Sequence, residues 1–281
     1  MQKDLFDQVY PPSKPVQFNP DGISIKGCSY IYAPAGQAGE YAMLATNPYR
    51  GCGHACKYCY VPNVLKMDRA EFDAGATPRP GFLDNLRKDA RKYQTAGIHS
   101  QVMLSFTTDP FNPTCHVLTR PTIEILKDHG LAFCTLTKGG SRAIPYLDLF
   151  RPERDAFAST LTSLDDQFSL RWEPRAALPK DRMNTLKRFH EAGIFTWVSL
   201  EPVLDVTATL QIINETHSYV DFFKIGRINY SGLTKTIDWR EFTLKVIELC
   251  ARLDVKHYLK LDLQPFMPAG YDNQRHVEQH H

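Results

Sequence analysis

The stretch Asn47-Pro48-Tyr49-Arg50-Gly51-Cys52-Gly53-His54-Ala55-Cys56-Lys57-Tyr58-Cys59-Tyr60 decides how this chain is read. Its spacing is Cys-x3-Cys-x2-Cys, with an aromatic residue directly before the third cysteine. Three thiolates on one short loop hold three irons of a cubane 4Fe-4S cluster and leave the fourth iron open. An open iron is a place for a ligand, so Cys52, Cys56 and Cys59 point to chemistry more than to a structural staple. The rival metal is zinc, whose structural sites want four ligands. His54 is the fourth candidate, but it lies between the first two cysteines, where so short a loop can hardly wrap it onto the same ion. No second Cys-x2-Cys or His-x3-His pattern completes such a site elsewhere.

Outward from the loop the chain falls into a strand–helix rhythm. Ala42–Thr46 is a short apolar strand leading straight into the cysteines. Strands are expected at Gln101–Phe106, Leu131–Thr137, Ala156–Leu161, Ile194–Leu200, Asp221–Ile225 and Val255–Leu261. Helices are expected at Pro80–Ala96, from Thr119 to a stop at Gly130, at Ile144–Phe150, from Pro179 to Gly193, at Thr207–Tyr219 and at Trp239–Leu253. Strands alternating with helices imply parallel βαβ units, and six or seven in line suggest a full or partial barrel. The expected fold is therefore α/β: a partial (β/α)6-type TIM barrel. Residues 1–40 are read as an irregular Pro-, Gly- and Tyr-rich arm with a short strand at Ser29–Tyr32. Residues 41–230 form the core, and 231–281 a helix-and-strand extension. In such barrels chemistry sits at the C-terminal ends of the strands. The polar motifs Thr107–Asn112, Thr137–Gly140, Thr160–Ser163, Glu201-Pro202 and Gly226–Asn229 all fall there.

The 281 residues are enough for one large α/β domain or two small ones, with 43% hydrophobic residues to build a core. A net charge of +2 gives no argument for a broad nucleic-acid surface, though it permits a local basic groove. Seven cysteines, three of them on one loop, argue against a secreted disulfide framework. The N-terminus lacks an apolar signal core, and no run approaches a membrane span. A reducing cytoplasm suits both free thiols and an oxygen-sensitive cluster. The terminal Gln279-His280-His281 has no support as a metal site.

The cysteine loop, placed after the first strand, resembles that of the radical S-adenosylmethionine (SAM) superfamily. Thr108-Asp109-Pro110-Phe111-Asn112-Pro113, Thr137-Lys138, Glu173-Pro174-Arg175, Arg182 and Ala192-Gly193-Ile194 follow in order, a series similar to the spore photoproduct lyase-like branch. The resemblance spans roughly residues 40–230. It implies a cluster on the three cysteines that binds SAM at its open iron, a one-electron donor such as flavodoxin or ferredoxin, and a radical that takes a hydrogen atom from substrate. It further implies that Lys138 meets the SAM carboxylate, that Thr107 and Thr108 hold the SAM amine, and that Thr160 and Thr162 meet the ribose hydroxyls. Tyr58 packs beside the adenine in this reading. Arg175 reaches the SAM carboxylate or pairs with Glu173, and Glu201 touches adenine or substrate. Asp109 binds substrate or caps the turn that follows it.

The sequence departs from the branch at one place. Spore photoproduct lyases carry a cysteine just before a Thr-Ser-Asp stretch, and here Phe106 precedes Thr107-Thr108-Asp109. Cys115, a few residues on, is the candidate hydrogen donor, while Cys134 and Cys250 read as core. Substrate class stays open between a nucleic-acid base or nucleotide and a small metabolite or peptide. A binding protein stabilised by zinc is the alternative without catalysis.

Overall fold

The computed structural model describes residues 24–228 and 232–273. Residues 1–23 of the arm, Asn229 and the terminal Gln279-His280-His281 lie outside the described residues. Among the described residues nine strands run in chain order: β1 (Leu44–Thr46), β2 (Tyr49–Arg50), β3 (Thr77–Pro78), β4 (Val102–Leu104), β5 (Phe133–Thr137), β6 (Ala156–Thr160), β7 (Phe195–Val203), β8 (Phe222–Arg227) and β9 (Lys256–Leu259). Seven of them form one parallel sheet in the order β1-β4-β5-β6-β7-β8-β9. The order follows the sequence, as successive βαβ crossovers require. The sheet runs one strand beyond the six-unit expectation, because β9 of the C-terminal extension pairs with β8. β2 and β3 make a small antiparallel pair that flanks the cysteine loop. Among the described residues no helix is long and apolar enough to cross a membrane.

Side-chain alternation along the strands divides the core in two. Phe157, Val198, Phe223 and Leu259 belong to the larger apolar cluster, which includes helix residues such as Leu186, Phe189, Phe242 and Val246. Their neighbours Ala156, Ala158, Trp197, Phe222 and Tyr258 join Ala45, Met103 and Cys134 in a second cluster on the other face. Small residues on β1 and β6 leave room there for the large rings of β7–β9.

The helices start where the sequence supplies caps. Asp238 accepts hydrogen bonds from Arg240 N (3.0 Å) and Glu241 N (2.9 Å) to open Trp239–Leu253, and Asp205 accepts from Ala208 N (2.8 Å) to open Val206–Thr216. Two expected elements differ from their reading. The segment Ser29–Tyr32 contributes a single bridge, Tyr32 to Ala45, because the amides of Ser29, Tyr30 and Ile31 all donate to Asp89 Oδ2 at 2.7–3.2 Å. The short helix expected at Ile144–Phe150 is a 3-10 stretch, Gly140–Leu149, with Pro145 inside it and therefore one amide donor missing.

The edges of the sheet, β1 and β9, are joined by the segment before β1. Glu40 Oε1 accepts from Tyr258 OH (3.0 Å) and from Leu261 N (2.6 Å) at the end of β9. Lys224 Nζ on β8 donates to Glu40 O (3.2 Å) and Tyr41 O (2.8 Å). Tyr41 OH then reaches Ser199 Oγ (2.8 Å) and the Glu201 carboxylate on β7. A short piece of the arm thus straps the open side of the barrel.

Candidate active site

The cysteine loop holds its shape by giving its backbone to its neighbours. Gly51 sits at φ +78°, and a Cβ there would lie 2.2 Å from Gly75 O, so only glycine fits. Cys52 N donates to Phe72 O (2.8 Å) and Lys57 N to Trp172 O (2.9 Å). Arg69 donates to the carbonyls of Cys56 and Cys59. Arg175 grips from the far side, its amide on His54 O (3.2 Å) and its guanidinium on Asp73 O (2.8 Å). With the backbone spent outward, the thiols of Cys52, Cys56 and Cys59 are left free of disulfides.

Burial pushes the Cys56 thiol up to about 12 and raises Cys52 and Cys59 as well. The three thiols are close enough to act on one another: Cys56 and Cys59 both raise Cys52. Three buried thiols that resist ionisation alone suit a cationic group that replaces their protons. No three His, Cys, Asp or Glu side chains among the described residues form a group for a single metal ion. A cluster that takes one thiolate per iron asks for no such convergence. His54, the possible fourth zinc ligand, is engaged elsewhere. Its Nδ1 lies 3.4 Å from Asp109 Oδ2, and Arg142 Nη2 donates to its Nε2 at 3.1 Å. Burial lowers its pKa to about 4, so it is neutral.

Beside Cys56 stands a buried set of charges. Arg182 Nη2 lies 2.5 Å from Glu173 Oε2. This is an ion pair, since the aligned guanidinium bonds go to Ala177 O (2.7 Å) and Thr160 O (2.9 Å). Tyr58 OH donates to the other Glu173 oxygen. Burial alone would push the Glu173 carboxyl up, but Arg182 and Lys138 outweigh it and hold it below its ordinary value. Burial likewise opposes the charge on Lys138, and Cys56 and Glu173 outweigh it, keeping that ammonium protonated. Lys138 Nζ lies 5.7 Å from the centre of the Tyr58 ring. The structure thus gathers Cys56, Tyr58, Lys138, Glu173 and Arg182, and Arg182, not Arg175, takes Glu173.

The remaining candidates divide. Asp109 is a cap: Oδ1 accepts from Thr137 Oγ1 (2.6 Å) and Phe111 N (2.8 Å), and Oδ2 from Lys138 N (2.7 Å). It fixes the turn that presents Lys138. Thr108 Oγ1 donates to Gly51 O (2.6 Å), and Thr107 N to Asn47 Oδ1 (3.1 Å). Thr160 gives its carbonyl to Arg182, whereas Thr162 Oγ1 is buried without a partner. Glu201 lies across the mouth in a second group, where Lys260 Nζ donates to its Oε2 at 2.6 Å. Tyr60 is 51% exposed, and desolvation, Glu201 and Cys59 together raise the pKa of its phenol. Cys115 is a free, half-buried thiol. Arg69, Arg142 and Lys260 lie outside every quoted motif, and Asn47 and Asn112 lie inside them without an assigned role, so sequence reasoning missed these five as site residues.

A parallel α/β barrel with a three-cysteine loop after its first strand defines a class of cluster-binding enzymes. The sequence pattern of the Radical SAM superfamily matches residues 46–220, well over half of the chain, and the chain belongs to that superfamily. The family uses a 4Fe-4S cluster and SAM. Two uncharacterized proteins are similar in sequence. ORF301 of Acidianus two-tailed virus is 27% identical over 201 residues, 68% of this chain and 66% of its own. MJ0683 of Methanocaldococcus jannaschii is 23% identical over 193 residues, 67% and 71% of the two chains. Among solved structures, spore photoproduct lyase complexed with dinucleoside spore photoproduct shares the fold with a TM-score of 0.64 at 13% identity, over 84% of this chain and 80% of that one. Streptococcus suis SuiB bound to S-adenosylmethionine gives 0.58 at 11% identity, over 77% of this chain. The chain spans about half the length of SuiB, 49%, and 66% of the viral relative.

Proposed function

We propose that this chain is a radical SAM enzyme whose cluster sits on Cys52, Cys56 and Cys59. The observation that carries the reading is the set of three free thiols held on one backbone-locked loop with the Lys138 ammonium beside Cys56. A 4Fe-4S cluster held by Cys52, Cys56 and Cys59 would supply the one-electron chemistry for reductive cleavage of SAM and hydrogen-atom abstraction from substrate. The chain's own groups bind and orient. Lys138, kept charged, meets the SAM carboxylate. Tyr58, its hydroxyl tied to Glu173, offers a fixed ring beside the adenine. Thr162, with its unpaired hydroxyl, meets the ribose, with Thr160 next to it on the strand end. Thr107 and Thr108 lend the strand-end backbone to the SAM amine, and Arg175 holds the loop. A flavodoxin or ferredoxin is the matching electron donor.

Substrate enters at the mouth between the cysteine loop and Glu201, with the exposed ring of Tyr60 next to Cys59 in the chain. A nucleic-acid base or nucleotide is the leading substrate class, supported by the shared fold with a lyase that holds a dinucleoside. Stacking on exposed aromatic side chains suits single-stranded bases. A peptide or small metabolite is the second reading, favoured by the near-neutral charge and the shared fold with SuiB bound to precursor peptide SuiA. Phe106 packs edge-on against Tyr41, with ring centres 6.2 Å apart, and offers no hydrogen atom in the manner of a thiol. A hydrogen-return step would fall to another donor, and Cys115 is the candidate thiol.

The test is 5′-deoxyadenosine release from SAM by anaerobically reconstituted, dithionite-reduced protein, alone and with DNA or RNA, against Cys56→Ala. Release that depends on Cys56 and rises with one polymer supports both the chemistry and the substrate class. Release indifferent to both polymers keeps the chemistry and moves the substrate to the second reading. No release from a protein with a full cluster overturns the SAM site.

A further inference from the structure

Asn112 lies in the loop after β4, fully buried. Its side-chain oxygen is crowded with donors: Thr114 Oγ1 at 2.7 Å, Thr114 N at 3.0 Å and Gly53 N at 3.4 Å. Three donors on one atom settle which end of the amide is oxygen. Nδ2 is then the end that faces Cys52, 3.3 Å from its Sγ. The arrangement is braced behind. Thr114 Oγ1 accepts from Ala76 N (2.8 Å), and His116 Nδ1 lies 3.1 Å from Asn112 O. Room is also reserved for it: a Cβ on Gly53 would meet Thr114 Cγ2 at 2.7 Å and Asn112 Oδ1 at 3.1 Å.

A neutral thiol is a weak acceptor, so aiming a fixed, buried amide N–H at one gains little. A thiolate is a far better partner, since hydrogen bonds to charged acceptors are about twice as strong as neutral ones. Resting on the cluster reading of the preceding subsection, we infer that Asn112 is a positioning residue that sets the reduction potential of the cluster through Cys52. When the cluster gains one electron from a reductant, no proton moves and negative charge on its sulfurs rises. An N–H pointed at Sγ stabilises that reduced state more than the oxidised one and raises the potential.

The test loads wild-type protein, Asn112→Asp and Asn112→Leu with iron and sulfide anaerobically, counts both elements, and titrates each with dithionite against redox dyes. Asp keeps an oxygen for Gly53 and Thr114 but offers the sulfur no donor at neutral pH; Leu removes both roles and adds no charge. Both variants should titrate at a more negative potential, with the reduced-to-oxidised ratio at the wild-type midpoint down about tenfold, or 59 mV for one electron. Unchanged midpoints in fully loaded variants overturn the assignment, and so does a shift confined to Asp, which would be an effect of charge alone. Should Leu fail to fold, wild-type protein labelled with 15N-asparagine decides: pulsed electron resonance of the reduced cluster must show a coupled 15N, and its absence overturns the assignment. A wild-type chain that assembles no four-iron cluster overturns the parent reading and this inference with it. A full cluster with an unmoved potential overturns this inference alone.

Discussion

Glu173 and Arg182 face each other at 2.5 Å with 0% and 1% of their side chains exposed, and the same carboxylate accepts the hydroxyl of Tyr58. A buried ion pair therefore backs the ring that precedes the third cysteine. Removing one partner strands the other charge out of water, which costs about 3–5 kcal/mol. Glu173→Gln is expected to lower the unfolding free energy of the metal-free protein by that amount in a urea titration. The pH dependence has a fixed sign. A carboxyl held below its ordinary 4.5 contributes stability that is complete above pH 4.5 and lost as the pH falls through its lower folded value. The gap between wild type and Glu173→Gln should therefore narrow on acidification below pH 4.5.

Each of Cys52→Ala, Cys56→Ala and Cys59→Ala should abolish the visible absorption of reconstituted protein and lower 5′-deoxyadenosine release more than about a hundredfold, since even residues that only orient metal ligands cost about 10–100-fold. Cys134→Ala is the control. That thiol accepts from Trp197 Nε1 at 3.2 Å in the apolar interior, far from the loop's chemistry, so iron content should stay at the wild-type level.

Lys138→Met removes the ammonium assigned to the SAM carboxylate. A hydrogen bond to a charged group contributes about 1.5–3 kcal/mol, so SAM should bind about 10- to 100-fold more weakly by equilibrium dialysis of the loaded protein. Lys57→Met, exposed on the same loop, should bind SAM as wild type does. Equal affinity in all three proteins would remove Lys138 from the site.

Lys224 is buried against two carbonyls and the rings of Tyr41 and Trp197, and burial brings its pKa down to about 7. The unfolded chain holds that proton up to about 10.5, so between pH 7 and 10.5 unfolding takes up a proton and stability rises with pH. The penalty for burying the charge is full below pH 7 and gone above pH 10.5. Lys224→Met loses this term. Wild type should therefore gain stability relative to the variant between pH 7 and 9, read by thermal melting at fixed ionic strength. A constant difference across that range would refute the shift.

The strand–helix alternation was legible because each strand is a short apolar run closed by a polar motif, and Trp239–Leu253 lies where its apolar stripe predicts. The cysteine loop was legible because its spacing is chemical and local. Short elements were not: β2, β3 and the helices Val61–Leu65 and Arg69–Ala74 span too few residues for a period to show. Partnerships across long sequence separations were also out of reach. Arg175 and Arg182 look equally suited to Glu173 in one dimension, and only the helix that carries Arg182 inward decides between them. The same holds for Asn112 and Cys52, 60 positions apart. Glu201 was legible as a strand-end carboxylate, but its partner Lys260 lies on an extension that the six-unit expectation placed outside the barrel.

The strap that joins β9 to β1 ties residue 40 to residues 258 and 261. These two hydrogen bonds span 218 and 221 positions. Contacts of that sequence separation carry a large loop-closure cost, so the open side of the sheet closes only once both of its edges are in place.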